Sequence, residues 1–128
     1  MLEAGIKLTQ TEKVTEKNSA ASLGSGLLPV YATPAMILLI ESTAAKSVVP
    51  ELEEGMTTVG TKLNVDHLAA TPIGMEVRCE CELIQVDRRK LVFKAEVYDG
   101  CELVGKGIHE RFIVASEKFM IKANSKLN

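Results

Sequence analysis

Between Thr33 and Lys46 the chain carries a single charge, Glu41, and this stretch constrains the fold more than any other. The run Met36-Ile37-Leu38-Leu39-Ile40 leads straight into the acid, so the segment reads as a helix buried over most of its circumference. Thr33 suits an N-cap, Pro34 the first helical position, and Pro50 closes the far end, giving a helix from about Thr33 to Val49.

The rest of the chain reads as strand. Gly5 to Val14 alternates loosely enough for a first strand, and the Ser-, Ala- and Gly-rich stretch Asn18 to Pro29 reads as a loop or short helical turn. After the turn-like Glu53-Glu54-Gly55, Val59, Thr61, Leu63, Val65 and His67 share one parity, with Gly60, Lys62, Asn64 and Asp66 on the other. Met75 to Val86, Leu91 to Tyr98 and Leu103 to Val114 follow as strands, broken by turn signals at Asp87-Arg88-Arg89 and Asp99-Gly100. One apolar helix and four consecutive strands after it predict an α+β domain, an antiparallel sheet of about five strands wrapped around the helix. A sheet of that size leaves two edges to protect, which predicts a homodimer or a dimer of dimers.

Composition narrows the function. With 128 residues, 46% of them hydrophobic and 25% charged, residues 1–128 fit one soluble domain with one core. A formal net charge of −2 and no basic run give no footing for nucleic acid. No stretch has the apolar length of a signal peptide or a membrane span, so the expected location is cytoplasmic. Cys79, Cys81 and Cys101 lack zinc-like spacing and read as free thiols packed as small apolar groups; no metal is expected.

Three residues stand out for chemistry. A carboxylate in an apolar helix must be paired or functional, because burial penalises the ionised form, and this points to Glu41; the alternative is an acid where the helix meets solvent. His67 ends the inward parity of its strand, where a side chain can face a cleft and exchange protons near neutrality; the alternative is a histidine that bonds a carbonyl and closes the turn. Thr33 caps a helix whose N-terminal N–H groups can polarise a carbonyl, although a cap needs no catalytic role. Eight positions separate Thr33 from Glu41, or ~12 Å along a helix, so a site using both calls for a long substrate or a second chain.

Val30-Tyr31-Ala32-Thr33-Pro34 leading to Glu41, Val59-Gly60-Thr61 leading to His67, Ala69-Ala70-Thr71-Pro72 with Gly74, and Gly107-Ile108-His109-Glu110-Arg111 with Glu117-Lys118-Phe119 together resemble the hotdog-fold thioesterases related to fluoroacetyl-CoA thioesterase. The resemblance runs from about Val30 to Lys122. It implies a hotdog fold, a dimer and hydrolysis of an acyl-CoA thioester without a bound cofactor. It matches Thr33, Glu41 and His67 to catalytic residues, and Gly60 and Arg111 to residues that line or support the site. Leu23-Gly24-Ser25-Gly26-Leu27-Leu28 lacks the phenylalanines that the fluoroacetyl-selective enzyme carries before its helix, so the resemblance implies a thioesterase rather than that selectivity.

Glu41 is then expected as nucleophile or general base on water, Thr33 as the group that positions the reactants, and His67 as the proton carrier. Arg111 shares parity with His109 and either meets a CoA phosphate or braces a carboxylate. A hotdog protein that binds acyl-CoA without hydrolysis is the alternative. A hydratase ranks last, because adjacent Asp66 and His67 face opposite ways on a strand.

Overall fold

In the computed structural model, which describes residues 2–127, five antiparallel strands form one sheet, and one long helix touches all of them. Met1 and Asn128 of the expected 1–128 domain lie outside the described residues. β1 (Lys7–Lys13) leads through a 3-10 turn at Glu16–Asn18 and the short helix α1 (Ala20–Leu23) to the long helix α2 (Thr33–Val48). β2 (Met56–His67), β3 (Glu76–Asp87), β4 (Lys90–Tyr98) and β5 (Leu103–Ala115) follow, and the chain closes with α3 (Ser116–Asn124) and a further 3-10 turn. The strand order β1-β3-β4-β5-β2 leaves β1 and β2 at the edges. This is the expected hotdog arrangement.

The core is built between one face of α2 and the inner face of the sheet. Ala35, Met36, Leu39, Ile40, Thr43, Ala44 and Val48 recur at helical spacing and are buried. Val77, Cys79, Cys81 and Leu83 from β3 and Leu91, Phe93, Ala95 and Val97 from β4 meet them. Gly105 of β5 has no side chain because the Met36 thioether occupies that space. Burial of α2 is one-sided: Leu38 is 66% exposed, since the sheet covers only one flank of the helix. Cys79 and Cys81 pack in the core with sulfurs 3.7 Å apart, whereas Cys101 is exposed in the turn after β4 and departs from the expected packing.

Four local details differ from the sequence expectation. Ala32, not Thr33, is the N-cap of α2; Thr33 is its first helical residue, and no side chain caps the helix. The α-helix ends at Val48, and Pro50 sits within a 3-10 turn, Val49–Glu51. β2 carries a bulge at Thr61: Gly60 pairs with Arg111 and Lys62 with Glu110. α3 was not anticipated, and it has no buried residue to impose an apolar period on its sequence. Among the described residues no helix is long and apolar enough to cross a membrane.

Candidate active site

Thr33 and His67 come together because the segments that carry them are tied to each other. The Tyr31 amide donates to the Thr71 carbonyl, Val30 bridges to Pro72, and the Leu68 amide donates to the Val104 carbonyl. Tyr31 itself is buried, and its hydroxyl donates to Glu12 at 2.5 Å; burial, reinforced by that carboxylate, holds the phenol well above its ordinary range. Thr71 is held in turn through its hydroxyl, which donates to Asp99.

The outcome is a short contact, Thr33 Oγ1 to His67 Nδ1 at 2.7 Å. Thr33 can make it because its hydroxyl is not spent on capping the helix. Burial pushes the His67 ring below the ordinary histidine value, and the Ala69 backbone opposes that shift. Nε2 is shielded and reaches no hydrogen-bond partner. The pair borders an open cavity of about 370 Å³, lined also by Ala20, Val30, Tyr31, Leu68, Ala69 and Ala70.

Glu41 lies elsewhere in the protomer. Its carboxylate stands 3.5 Å from Arg111 Nη1 and is 38% exposed, so the acid is paired and half-open rather than buried as the sequence implied. Arg111 is buried: Nε donates to Thr58 Oγ1 at 2.8 Å, Nη2 to the Thr58 carbonyl at 2.9 Å, and Nη1 to His109 Nε2 at 3.1 Å. Burial lowers the guanidinium pKa, and Glu41 opposes the shift. Of the two expectations for Arg111, the arrangement seen is the bracing of a carboxylate.

The bulge at Thr61 places Gly60 here. Without it Gly60 would share the outer face with Asn64 and Asp66, as strict alternation predicted; with it, Thr58 and Gly60 face inward opposite Ile113 and Arg111, and Leu63, Val65 and His67 face inward further along. Val59 therefore turns to the outer face opposite Phe112, against the sequence parity. A Cβ on Gly60 would sit 2.5 Å from Glu41 Oε2 and 3.3 Å from both Arg111 Nη1 and His109 Cε1. The glycine is what lets the acid reach the strand.

One protomer thus holds two separate clusters, Thr33–His67 at the end of β2 and Glu41–Arg111–Gly60 beside its bulge. The sequence reading missed Thr58 and the role of His109 beside Arg111, although the shared parity of His109 and Arg111 was the available signal. Asp66 points outward opposite Lys106, away from His67, as strand alternation requires.

Residues 14–117 match the family model described as FlK, fluoroacetyl-CoA-specific thioesterase. The chain belongs to this family. The fluoroacetyl-CoA thioesterase of Streptantibioticus cattleyicolor is 38% identical over 97 residues, which span 76% of this chain and 70% of that protein. Among solved structures, the fluoroacetyl-CoA thioesterase FlK superposes with a TM-score of 0.93 at 31% identity over 98% of each chain. The Thermus thermophilus protein TTHA0967, a thioesterase superfamily member, superposes with a TM-score of 0.87 at 26% identity over 98% of this chain and 97% of its own. Family and fold therefore rest on both sequence and architecture.

Proposed function

We propose that this protein hydrolyses a small or medium acyl-CoA thioester to the free acid and CoA, as a cytoplasmic homodimer that needs no bound cofactor. The observation that carries the proposal is the Thr33–His67 contact at 2.7 Å, a hydroxyl and a base within proton-transfer reach beside a cavity. Membership of the thioesterase family supports the same reading.

His67 suits the task because burial keeps its ring neutral near pH 7. With the ring proton on Nε2, Nδ1 accepts a hydrogen bond from the Thr33 hydroxyl and orients the oxygen toward a thioester carbonyl. Glu41 serves as the base that takes a proton from the attacking water, or as the nucleophile itself. Arg111 holds that carboxylate in place. The proton is delivered through His67 to the departing CoA sulfur, so that thioester and water yield acid and thiol. Gly60 and Arg111 line the carboxylate side of the substrate.

The two clusters become one site across a dimer. Gly60 and His67 lie six pleat steps apart on β2 once the bulge at Thr61 is discounted, roughly 20 Å at ~3.3 Å per residue. β2 bonds β5 along one side only, leaving its other edge free for antiparallel pairing with a second copy. A two-fold axis at Asn64, midway along that span once the bulge is discounted, sets Gly60 of one chain opposite His67 of the partner subunit. Glu41 of one chain then serves Thr33 and His67 of the other.

The test is a panel of acyl-CoAs of increasing chain length, with released thiol as the readout. Turnover on at least one member supports the hydrolase. Saturable binding without turnover on any member would replace it with the acyl-CoA-binding reading.

A further inference from the structure

The geometry points to His109 as a positioning residue: its ring, neutral and protonated on Nδ1, holds the Arg111 guanidinium against the Glu41 carboxylate. The inference deepens the hydrolase reading, because it concerns the carboxylate half of the same site.

The argument begins with what each contact allows. His109 is fully buried. Its Nδ1 lies 2.8 Å from the Lys62 carbonyl, which can only accept, so Nδ1 carries a proton. Its Nε2 lies 3.1 Å from Arg111 Nη1, and a guanidinium can only donate, so Nε2 offers its lone pair. Together the contacts select one tautomer of the neutral ring. A protonated ring would set N–H against N–H and one cation against another.

The ring is also fixed from its flanks. Phe93 of β4 stacks against it with centroids 6.3 Å apart, and Gly60 passes close to its Cε1 edge. Two charged groups in direct reach of the cluster are Arg111 from β5 and Glu41 from α2, with Glu110 acting at longer range; β2 offers the Lys62 carbonyl and β4 the apolar Phe93. Burial, aided by Arg111, holds the ring below the ordinary histidine range against the opposing pull of the Lys62 carbonyl, Glu41 and Glu110.

Arg111 gains its orientation from this. Thr58 holds Nε and Nη2, but Nη1, the nitrogen that faces Glu41, has His109 as its fixed acceptor. An ion pair to a half-exposed carboxylate contributes little unless its geometry is held. Without His109, Nη1 is free to turn to water, and Glu41 loses the group that orients it.

The test compares His109→Phe, which keeps the ring stack and deletes both nitrogen contacts, with His109→Gln, whose amide oxygen can accept from Nη1. In acyl-CoA hydrolysis, His109→Phe is expected to lower kcat by ~10-fold or more with KM within ~2-fold, and His109→Gln to recover most of the loss. Independently of turnover, ¹⁵N spectra of histidine-labelled wild type at pH 7 are expected to show a neutral ring protonated on Nδ1 at His109. An Nε2-protonated or cationic ring overturns the inference, as does an unchanged kcat in His109→Phe. Equal losses in both variants alongside equal falls in melting temperature overturn it as well, since they mark a purely structural residue. Wild type that turns over no acyl-CoA removes the hydrolase reading and leaves the tautomer to stand or fall on the spectra, and the spectra also decide if His109→Phe does not fold.

Discussion

Glu41 and Gly60 are neighbours across a gap that only a glycine leaves open, and substitutions there should separate chemistry from stability. Glu41→Gln keeps the shape of a half-exposed side chain, so the melting temperature should hold while turnover falls by at least ~10²-fold, the lower range for a lost general base. Gly60→Ala puts a methyl group where Oε2 now sits. The flexible carboxylate yields before the backbone does, so kcat should fall by ~10-fold or more with little change in unfolding midpoint. A large loss of stability with normal kcat would show that the strand moves instead. The histidines set the pH response. His67 and His109 both have pKa values lowered below the ordinary 6.5, so the unfolded chain takes up protons first as pH falls. Their contribution to stability is complete above about pH 6.5 and diminishes below it. Urea unfolding at stepped pH values should show this decline, and His109→Gln should flatten it.

At the scale of elements, the site depends on the clamp between the start of α2 and the loop after β2. Asp99 sits behind that clamp: its carboxylate accepts from the Thr71 hydroxyl and from the amides of Cys101 and Glu102. Asp99→Ala removes three acceptor contacts at once. It should cost about 1–3 kcal/mol in denaturant unfolding and raise KM more than it lowers kcat, because the loop that leads from His67 loses its anchor while the Thr33–His67 contact can still form. An unaltered KM would mean that the backbone bonds from Tyr31 and Leu68 hold the loop unaided.

For the whole molecule, the proposed site, with Thr33 and His67 apart from Glu41 within one chain, calls for a second copy. Thr33→Ala and Glu41→Gln proteins, each inactive alone, should regain activity when mixed under conditions of subunit exchange, because a heterodimer then carries one site with both residues intact. Exchange verified by mass spectrometry without recovered turnover would place Thr33 and Glu41 in the service of the same chain's site and rule out the two-fold axis at Asn64. Sedimentation of the unmixed protein gives a second reading, with a dimer expected.

Much of this was written locally. The apolar run before Glu41, the alternation of β3, β4 and β5 and the turn residues between them determined one helix and a five-stranded sheet, because such patterns need only neighbours in sequence to be expressed. Residue type and position singled out Glu41, His67 and Thr33, and the family motifs added Gly60 and Arg111 as site residues. Tertiary structure decided the rest. The bulge at Thr61 reverses the faces of β2, an event with no local signature in a strand of mixed residues, and so brings Gly60 to Glu41. The Thr33 hydroxyl meets His67 because the end of β2, thirty-four residues away, is pinned beside it. Glu41 remains half in solvent because a sheet can cover only one side of a helix.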